Sequence, residues 1–234
     1  MKRRPVIAMD GPGGAGKSTV ARLVAERCGY TYIDTGAMYR AVALRVLRHH
    51  PAVTDDALAA LAGASARQCR IEFGPMEGVW LDGEDVTSAL RGTEVERLVP
   101  RVAAVPAVRD ALVEAQRRLG ASGGVVMDGR DVGTCVFPDA EYKFFVTASQ
   151  EERVERRYRD LARRGAPLTR EAVARELAER DRQDRDRDLA PLIPAVDAIF
   201  LDTTGLTVDE VVARVLSVVG ASAQGGVPSP APVG

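Results

Sequence analysis

The chain has 234 residues, 46% of them hydrophobic, and a formal net charge of -1 at pH 7. That is enough apolar sequence to bury one good core, with room for small inserted subdomains. The near-zero charge gives no overall sign of a nucleic-acid-binding or membrane-surface protein.

The opening "MKRRPVIAMDG" holds two arginines and an apolar run too short for a signal core or a membrane span, so Val6 to Met9 reads as a buried strand. The strand ends at Asp10 in the loop "DGPGGAGKST". After it, Val20, Leu23, Val24 and Arg27 recur at helical spacing until Gly29. "YTYID" (30–34) predicts a second strand and "TGAMYRAVALRVLRHH" a second helix. Residues 52–70 predict an alanine-rich helix. Residues 69–86, with β-branched and aromatic residues broken by Gly-Pro and Asp-Gly, predict a small antiparallel excursion.

Thr93 and Glu96 match a capping box that opens a helix to about Leu119, with a break expected near Pro100 or Pro106. Apolar runs at 125–128, 142–146 and 198–202 predict three more strands. Ser149 with Glu152, and Thr207 with Glu210, are further capping boxes. Strands alternating with helices predict an α/β fold, a five-stranded parallel core sheet with helices on both faces. Residues 221–234, rich in Pro, Gly and Ala without periodicity, are expected to form a disordered tail. Cys28, Cys69 and Cys135 are scattered and odd in number, which suits reduced thiols and a cytoplasmic protein.

Residues 11–18 fit G-x-x-x-x-G-K-[ST] between a strand and a helix, the phosphate-binding P-loop. Gly11, Pro12, Gly13, Gly14, Ala15, Gly16, Lys17, Ser18 and Thr19 are the candidate ATP-binding residues. Glycines let backbone amides converge on phosphate, Lys17 reaches the β- and γ-phosphates, and the Ser18 hydroxyl suits Mg²⁺. The motif alone leaves the acceptor open. "DTGAMYR" places Arg40 on a helix that starts at the carboxyl edge of the sheet, where an arginine can grip a second phosphate. "VVMDGRDVG" ends a strand at Asp128, placed to orient Mg²⁺ through water, and sets Arg130 and Asp131 on a glycine-flanked turn.

Between Glu152 and Arg187 stand twelve arginines and nine acids. Most read as solvated ion pairs on two helices. Arg180, Asp184 and Arg187, at i, i+4 and i+7, share one face, so one carboxylate would hold two guanidinium groups ready for phosphate. A GTPase-like switch is disfavoured, because no Asn/Thr-Lys-x-Asp guanine-reading motif is present.

Together "IAMDGPGGAGKST", "DTGAMYRA", "GEDVT", "MDGRDVGTCVFPDA", "ERDRQDRDRDLAPL" and "AIFLDTT" resemble the bacterial cytidylate kinases over nearly the whole chain. The resemblance implies a nucleoside-monophosphate kinase fold as one domain over 1–220. It has a core (1–34, 120–150, 190–220), a monophosphate-binding region (35–119, with an antiparallel insert at about 69–95) and a lid (about 151–189). It implies ATP as donor, Mg²⁺, and CMP or dCMP as acceptor, with Lys17, Arg130, Arg180 and Arg187 catalytic. Arg40 and Arg130 would contact the CMP phosphate, Arg180 and Arg187 would act from the lid, and Asp184 would lie near the ribose. Arg109 and Asp131 would read cytosine, with Thr35 near the base. Pro100 stands where relatives often carry a nucleotide-contacting serine, and proline offers neither hydroxyl nor N–H. Alternatives are another acceptor, such as UMP, AMP or a small metabolite. A monomer without nucleic-acid or membrane partners is expected.

Overall fold

The computed structural model describes residues 4–74, 78–163, 165, 168–187 and 189–223, the side chains only as far as 220. In chain order the elements are β1 (Val6–Asp10), α1 (Lys17–Cys28), β2 (Thr31–Asp34), α2 (Thr35–His49), α3 (Asp55–Gln68), β3 (Ile71–Phe73), β4 (Val79–Leu81) and β5 (Glu84–Asp85). Then come α4 (Thr93–Ala103), α5 (Pro106–Gly120), β6 (Val125–Asp128), β7 (Tyr142–Thr147), α6 (Gln150–Arg163), α7 (Arg170–Arg185), β8 (Ile199–Asp202) and α8 (Val208–Ala223). The tail expected from 221 is corrected at its start, because α8 runs through Ala223; residues 224–234 lie outside the described residues. The chain divides into two compact units, one of residues up to Tyr32 and from Ser122 onward, the other Ile33–Ala121.

The first unit is built on a five-stranded sheet in the order β2-β6-β1-β7-β8. β1 is central and pairs in parallel with β6 (Ile7 opposite Val126) and with β7 (Met9 opposite Phe144). Every residue of β1 is buried, as expected of a strand covered on both faces. Ile7, Met9, Val126, Phe144, Val146 and Leu201 pack against Val20, Ala21 and Val24 of α1 and Val211, Val212 and Val215 of α8. The chain leaves β1 toward β2 on one side and crosses from β6 to β7 on the other. The glycine loop therefore emerges beside the switch in strand order, where open α/β sheets bind ligands.

The second unit packs α2, α3, α4 and α5 around Met38, Val42, Val46, Leu58, Leu98, Val102, Val108 and Leu112. The predicted antiparallel excursion is a three-stranded sheet, β3-β4-β5, with Glu72 opposite Trp80 and Trp80 opposite Asp85. The helix continues through Pro100 and breaks only at 104–105. Pro106 occupies the first position of α5 and holds Val105 in extended geometry.

One predicted cap is corrected. α4 is capped by Gly92, with no side-chain bond, so Thr93 lies inside the helix. Of the other two boxes, the one at α6 is only half made: Ser149 Oγ accepts from Glu152 N–H at 3.2 Å, but Ser149 N–H donates to Thr204 Oγ1 at 2.8 Å and not to Glu152. At α8, Thr207 Oγ1 accepts from Glu210 N–H at 3.3 Å, and Glu210 returns a bond by accepting from Thr207 N–H at 2.8 Å. Replacing Thr207 with Ala removes the hydroxyl half of this reciprocal cap. A stability loss of about 1 kcal/mol is expected, read as a lower urea midpoint with an unchanged m-value.

Candidate active site

The loop between β1 and α1 is shaped by close backbone approach. Gly11 has φ +144°, and a Cβ there would stand 2.0 Å from the Val146 carbonyl oxygen. Gly14 (φ +76°) lies against Arg153, whose carbonyl oxygen would be 3.0 Å from an added Cβ. Arg153 donates to the Gly13 carbonyl at 3.1 Å; Arg156 and the Thr203 hydroxyl donate to the Ala15 carbonyl at 3.3 and 3.1 Å. Because a trans peptide sets N–H opposite C=O, the amides of Gly14 and Gly16 point away from these donors. A glycine loop with amides so directed, closed by a helix N-terminus at Lys17, suits a chain of phosphates.

Lys17 is only 5% exposed, and its Nζ donates to the Pro12 carbonyl at 2.7 Å. Burial, then the Arg130 charge, pull its pKa from 10.5 to about 7, partly opposed by Asp128. The Ser18 hydroxyl donates to Asp128 Oδ2 at 2.5 Å, and the Tyr32 hydroxyl to Asp128 Oδ1 at 3.0 Å. A hydroxyl and a carboxylate at the end of the phosphate loop are the hard oxygen donors that Mg²⁺ takes, in small number, beside substrate phosphates. Among the described residues no group of three or more His, Cys, Asp or Glu side chains could hold a metal ion. The Ser18 hydroxyl and Asp128 carboxylate by their chemistry fit Mg²⁺ carried with a nucleotide.

Asp184 is the hub of the arginine cluster. Its Oδ2 accepts from Arg130 Nε at 2.8 Å and its Oδ1 from Arg187 at 2.9 Å. Burial alone would raise this carboxyl, but Arg130 and Arg187 outweigh it and hold the pKa below the ordinary aspartate value. The expected single helical face is corrected here. α7 ends at Arg185, so Arg187 lies beyond the helix and turns back to Asp184, and the arginine bonded to the other oxygen is Arg130. Arg180 acts through its charge on both Asp184 and Lys17. Asp131 is buried directly before a π-helical turn, Val132–Val136, where the sequence predicted only a simple turn.

In the second unit, Thr35 is buried at the start of α2, which Asp34 caps by accepting from Ala37 N–H at 3.0 Å. Arg40 ion-pairs with that same Asp34 at 2.5 Å. Arg109, buried on α5, lies 3.4 Å from the Tyr39 hydroxyl.

Sequence reading missed four features. Asp10 is buried and accepts two backbone N–H bonds from Val132 and Gly133, with its pKa raised from 3.8 to about 6, chiefly by burial. Arg153 and Asp181 form a buried pair at 2.6 Å. Arg156 links the loop to Thr203, and Tyr32 braces Asp128. The spacing of Arg153 and Arg156, one turn apart on α6, was the one local signal for a shared face.

A phosphate loop at the switch point of a parallel sheet, with a buried lysine, a hydroxyl–carboxylate pair and an arginine cluster, defines a P-loop phosphotransferase. The family description "Cytidylate kinase" matches residues 7–221. The chain is 52% identical over 219 residues to a cytidylate kinase of Desulfitobacterium hafniense, covering 93% of each. It is 51% identical over 217 residues to one of Symbiobacterium thermophilum, covering 92% of this chain and 95% of the relative. In fold alone it is similar to the solved structure of an uncharacterized protein from Eubacterium ventriosum. The TM-score is 0.52 at 11% identity, covering 94% of this chain and 99% of that one. The chain belongs to the cytidylate kinase family. No helix among the described residues is long and apolar enough to cross a membrane.

The depressed Lys17 pKa has a measurable consequence. The folded protein binds fewer protons here than the unfolded chain between pH about 7 and 10.5, so this group's contribution to stability improves as pH rises through that window. A bound triphosphate should restore the ammonium, because its anionic oxygens favour the charged lysine. At pH 8, ATP binding is expected to take up protons, seen as a dependence of the calorimetric enthalpy on the buffer's ionisation enthalpy. Lys17→Met should abolish that dependence.

Proposed function

We infer that the protein transfers the γ-phosphoryl group of ATP to CMP, giving ADP and CDP, and that it also accepts dCMP. The observation that carries this reading is unsatisfied arginine donors. Among the described residues Arg187 and Arg40, like Arg153 beside the phosphate loop, each keep a buried Nε–H with no hydrogen-bond partner, although each is ion-paired through another nitrogen. Leaving a buried donor unmade costs about 1–3 kcal/mol, which a bound phosphate oxygen would offset.

The acceptor oxygen of CMP is already an anion, so the reaction needs no general base. It attacks the γ-phosphorus in line, and the bond to the β–γ bridging oxygen breaks. Catalysis then rests on alignment and on neutralising equatorial charge. Lys17 would meet the β- and γ-oxygens. Arg130, Arg180 and Arg187 would meet the phosphates, with Arg40 holding CMP and Asp184 keeping Arg130 and Arg187 aligned between turnovers and lying near the ribose. Ser18, and Asp128 through water, would hold Mg²⁺, which supplies further positive charge to the triphosphate. Arg109 and Asp131 would read the base, beside Thr35. Helices α6 and α7 would act as the lid that keeps water from the γ-phosphate. The reading takes the enzyme as a cytoplasmic monomer, which suits its three free cysteines.

A coupled ADP-release assay tests the reaction. ADP formation should depend on CMP and rise many-fold over ATP alone; equal rates with and without CMP would reject the kinase. Base choice follows from hydrogen-bond sign. Cytosine presents an N4 amino donor, which a carboxylate accepts, whereas uracil presents a carbonyl there. Asp131→Asn, whose amide can face either group, should lower kcat/KM for CMP and narrow its advantage over UMP by roughly tenfold. An unchanged ratio would remove Asp131 from base reading.

A further inference from the structure

Asp10 ends the central strand immediately before Gly11, yet its side chain serves a different segment. Oδ1 accepts from Val132 N–H at 2.8 Å and Oδ2 from Gly133 N–H at 2.7 Å. These are the first two amides of the π-helical turn Val132–Val136, and such leading amides have no partner within the turn itself. Asp131, at the cap position, gives them no side-chain bond. Its own carbonyl is engaged by Cys135 N–H at 2.8 Å and Val136 N–H at 3.2 Å. A residue more than a hundred positions away thus caps the turn in its place.

The space around the carboxylate is fitted to this task. A Cβ on Gly133 would lie 3.3 Å from Asp10 Oδ2 and 3.2 Å from Lys143 Cδ, so any side chain there would press on the carboxylate or on the lysine stem. Lys143 is itself held by the Asp197 carboxylate at 2.8 Å and by the Pro138 carbonyl, and has little freedom to give way. Burying a carboxylate at this point works against stability, since apolar surroundings disfavour its charge. Two charge-assisted bonds to one short turn are what the fold obtains from it.

Arg130 and Asp131 directly precede the capped amides. We propose that Asp10 is a positioning residue for the acceptor nucleotide: by capping the 132–136 turn it fixes the backbone from which Arg130 and Asp131 reach CMP. The inference rests on the reading that these two residues contact CMP. One carboxylate at the root of the phosphate loop then sets the acceptor residues in register with the donor loop, adding to the link that Gly129 N–H makes to the Met9 carbonyl of β1 on the near side of Arg130.

The test is Asp10→Asn, which preserves size but keeps only one acceptor oxygen and turns an amide donor toward a backbone N–H. Steady-state kinetics should give a KM for CMP raised about tenfold or more, a KM for ATP changed by less than about twofold, and a narrowed CMP/UMP ratio. Gly133→Ala, which presses on the same carboxylate from the other side, should reproduce the pattern. The double variant should then be clearly less than additive with the singles. A merely structural role would lower Tm with both KM values unchanged or rising together, and either result overturns the proposal. If Asn proves too disruptive to fold, Gly133→Ala alone carries the comparison, and an unmoved KM for CMP in it counts equally against Asp10. Asp131→Asn, measured alongside, separates the two ideas. A normal CMP response there rejects the assignment of Asp131. An altered response there with a normal one in the Asp10 and Gly133 variants rejects the positioning role alone.

Discussion

A buried lysine held among arginines is the constraint that organises the first unit. Lys17 is nearly inaccessible and feels the charges of Arg130 and Arg180, which is why its pKa falls so far. So much like charge in one place is tolerable only if anions stand close by. Asp128 and Asp184 fill most of that role from two different elements, and Asp10 adds the smallest share. Each is tied down by hydrogen bonds, so the positive potential stays in place with little reorganisation when a polyanion arrives. Electrostatic preorganisation of this kind is the main resource available to a phosphoryl-transfer site.

The same logic explains why the arginine-rich helices are not simply solvated. On their outer faces Arg159 pairs with Glu155 and Arg182 with Glu179, exposed contacts that contribute little to stability. On the inner face Arg153 and Asp181 are both buried, and Arg153 reaches the Gly13 carbonyl. Arg156 does the same for Ala15 while donating to the Thr203 hydroxyl and carbonyl oxygens. These bonds orient the peptides of the phosphate loop. α6 is therefore part of the loop's scaffold as well as a candidate lid.

The antiparallel insert and the helical second unit are held by conventional means. Apolar residues of α2 form the largest share of that core, and Arg48 and Arg45 tether the β4–β5 hairpin through Glu84 and Asp82. Arg40 stands apart from this pattern. Its partner Asp34 also caps α2, so one carboxylate fixes both the start of the helix and the direction of the arginine.

The sequence by itself determined the local elements and the donor loop. A strand, a glycine-rich loop with Lys17 and Ser18, and a periodic helix are signals carried by neighbours in the chain, and so are the caps at Ser149 and Thr207. The pairing of Asp184 with Arg187 was legible for the same reason, although the helix stops between them. What only the tertiary structure decided are the contacts made across the sheet order. Asp10 meets Val132 and Gly133, Arg130 meets Asp184, and Arg156 meets Thr203, because β1 lies between β6 and β7 and α6 returns over the loop. No local pattern encodes such contacts. They depend on which strands become neighbours, and that choice is made by burial of the whole apolar set rather than by any one segment.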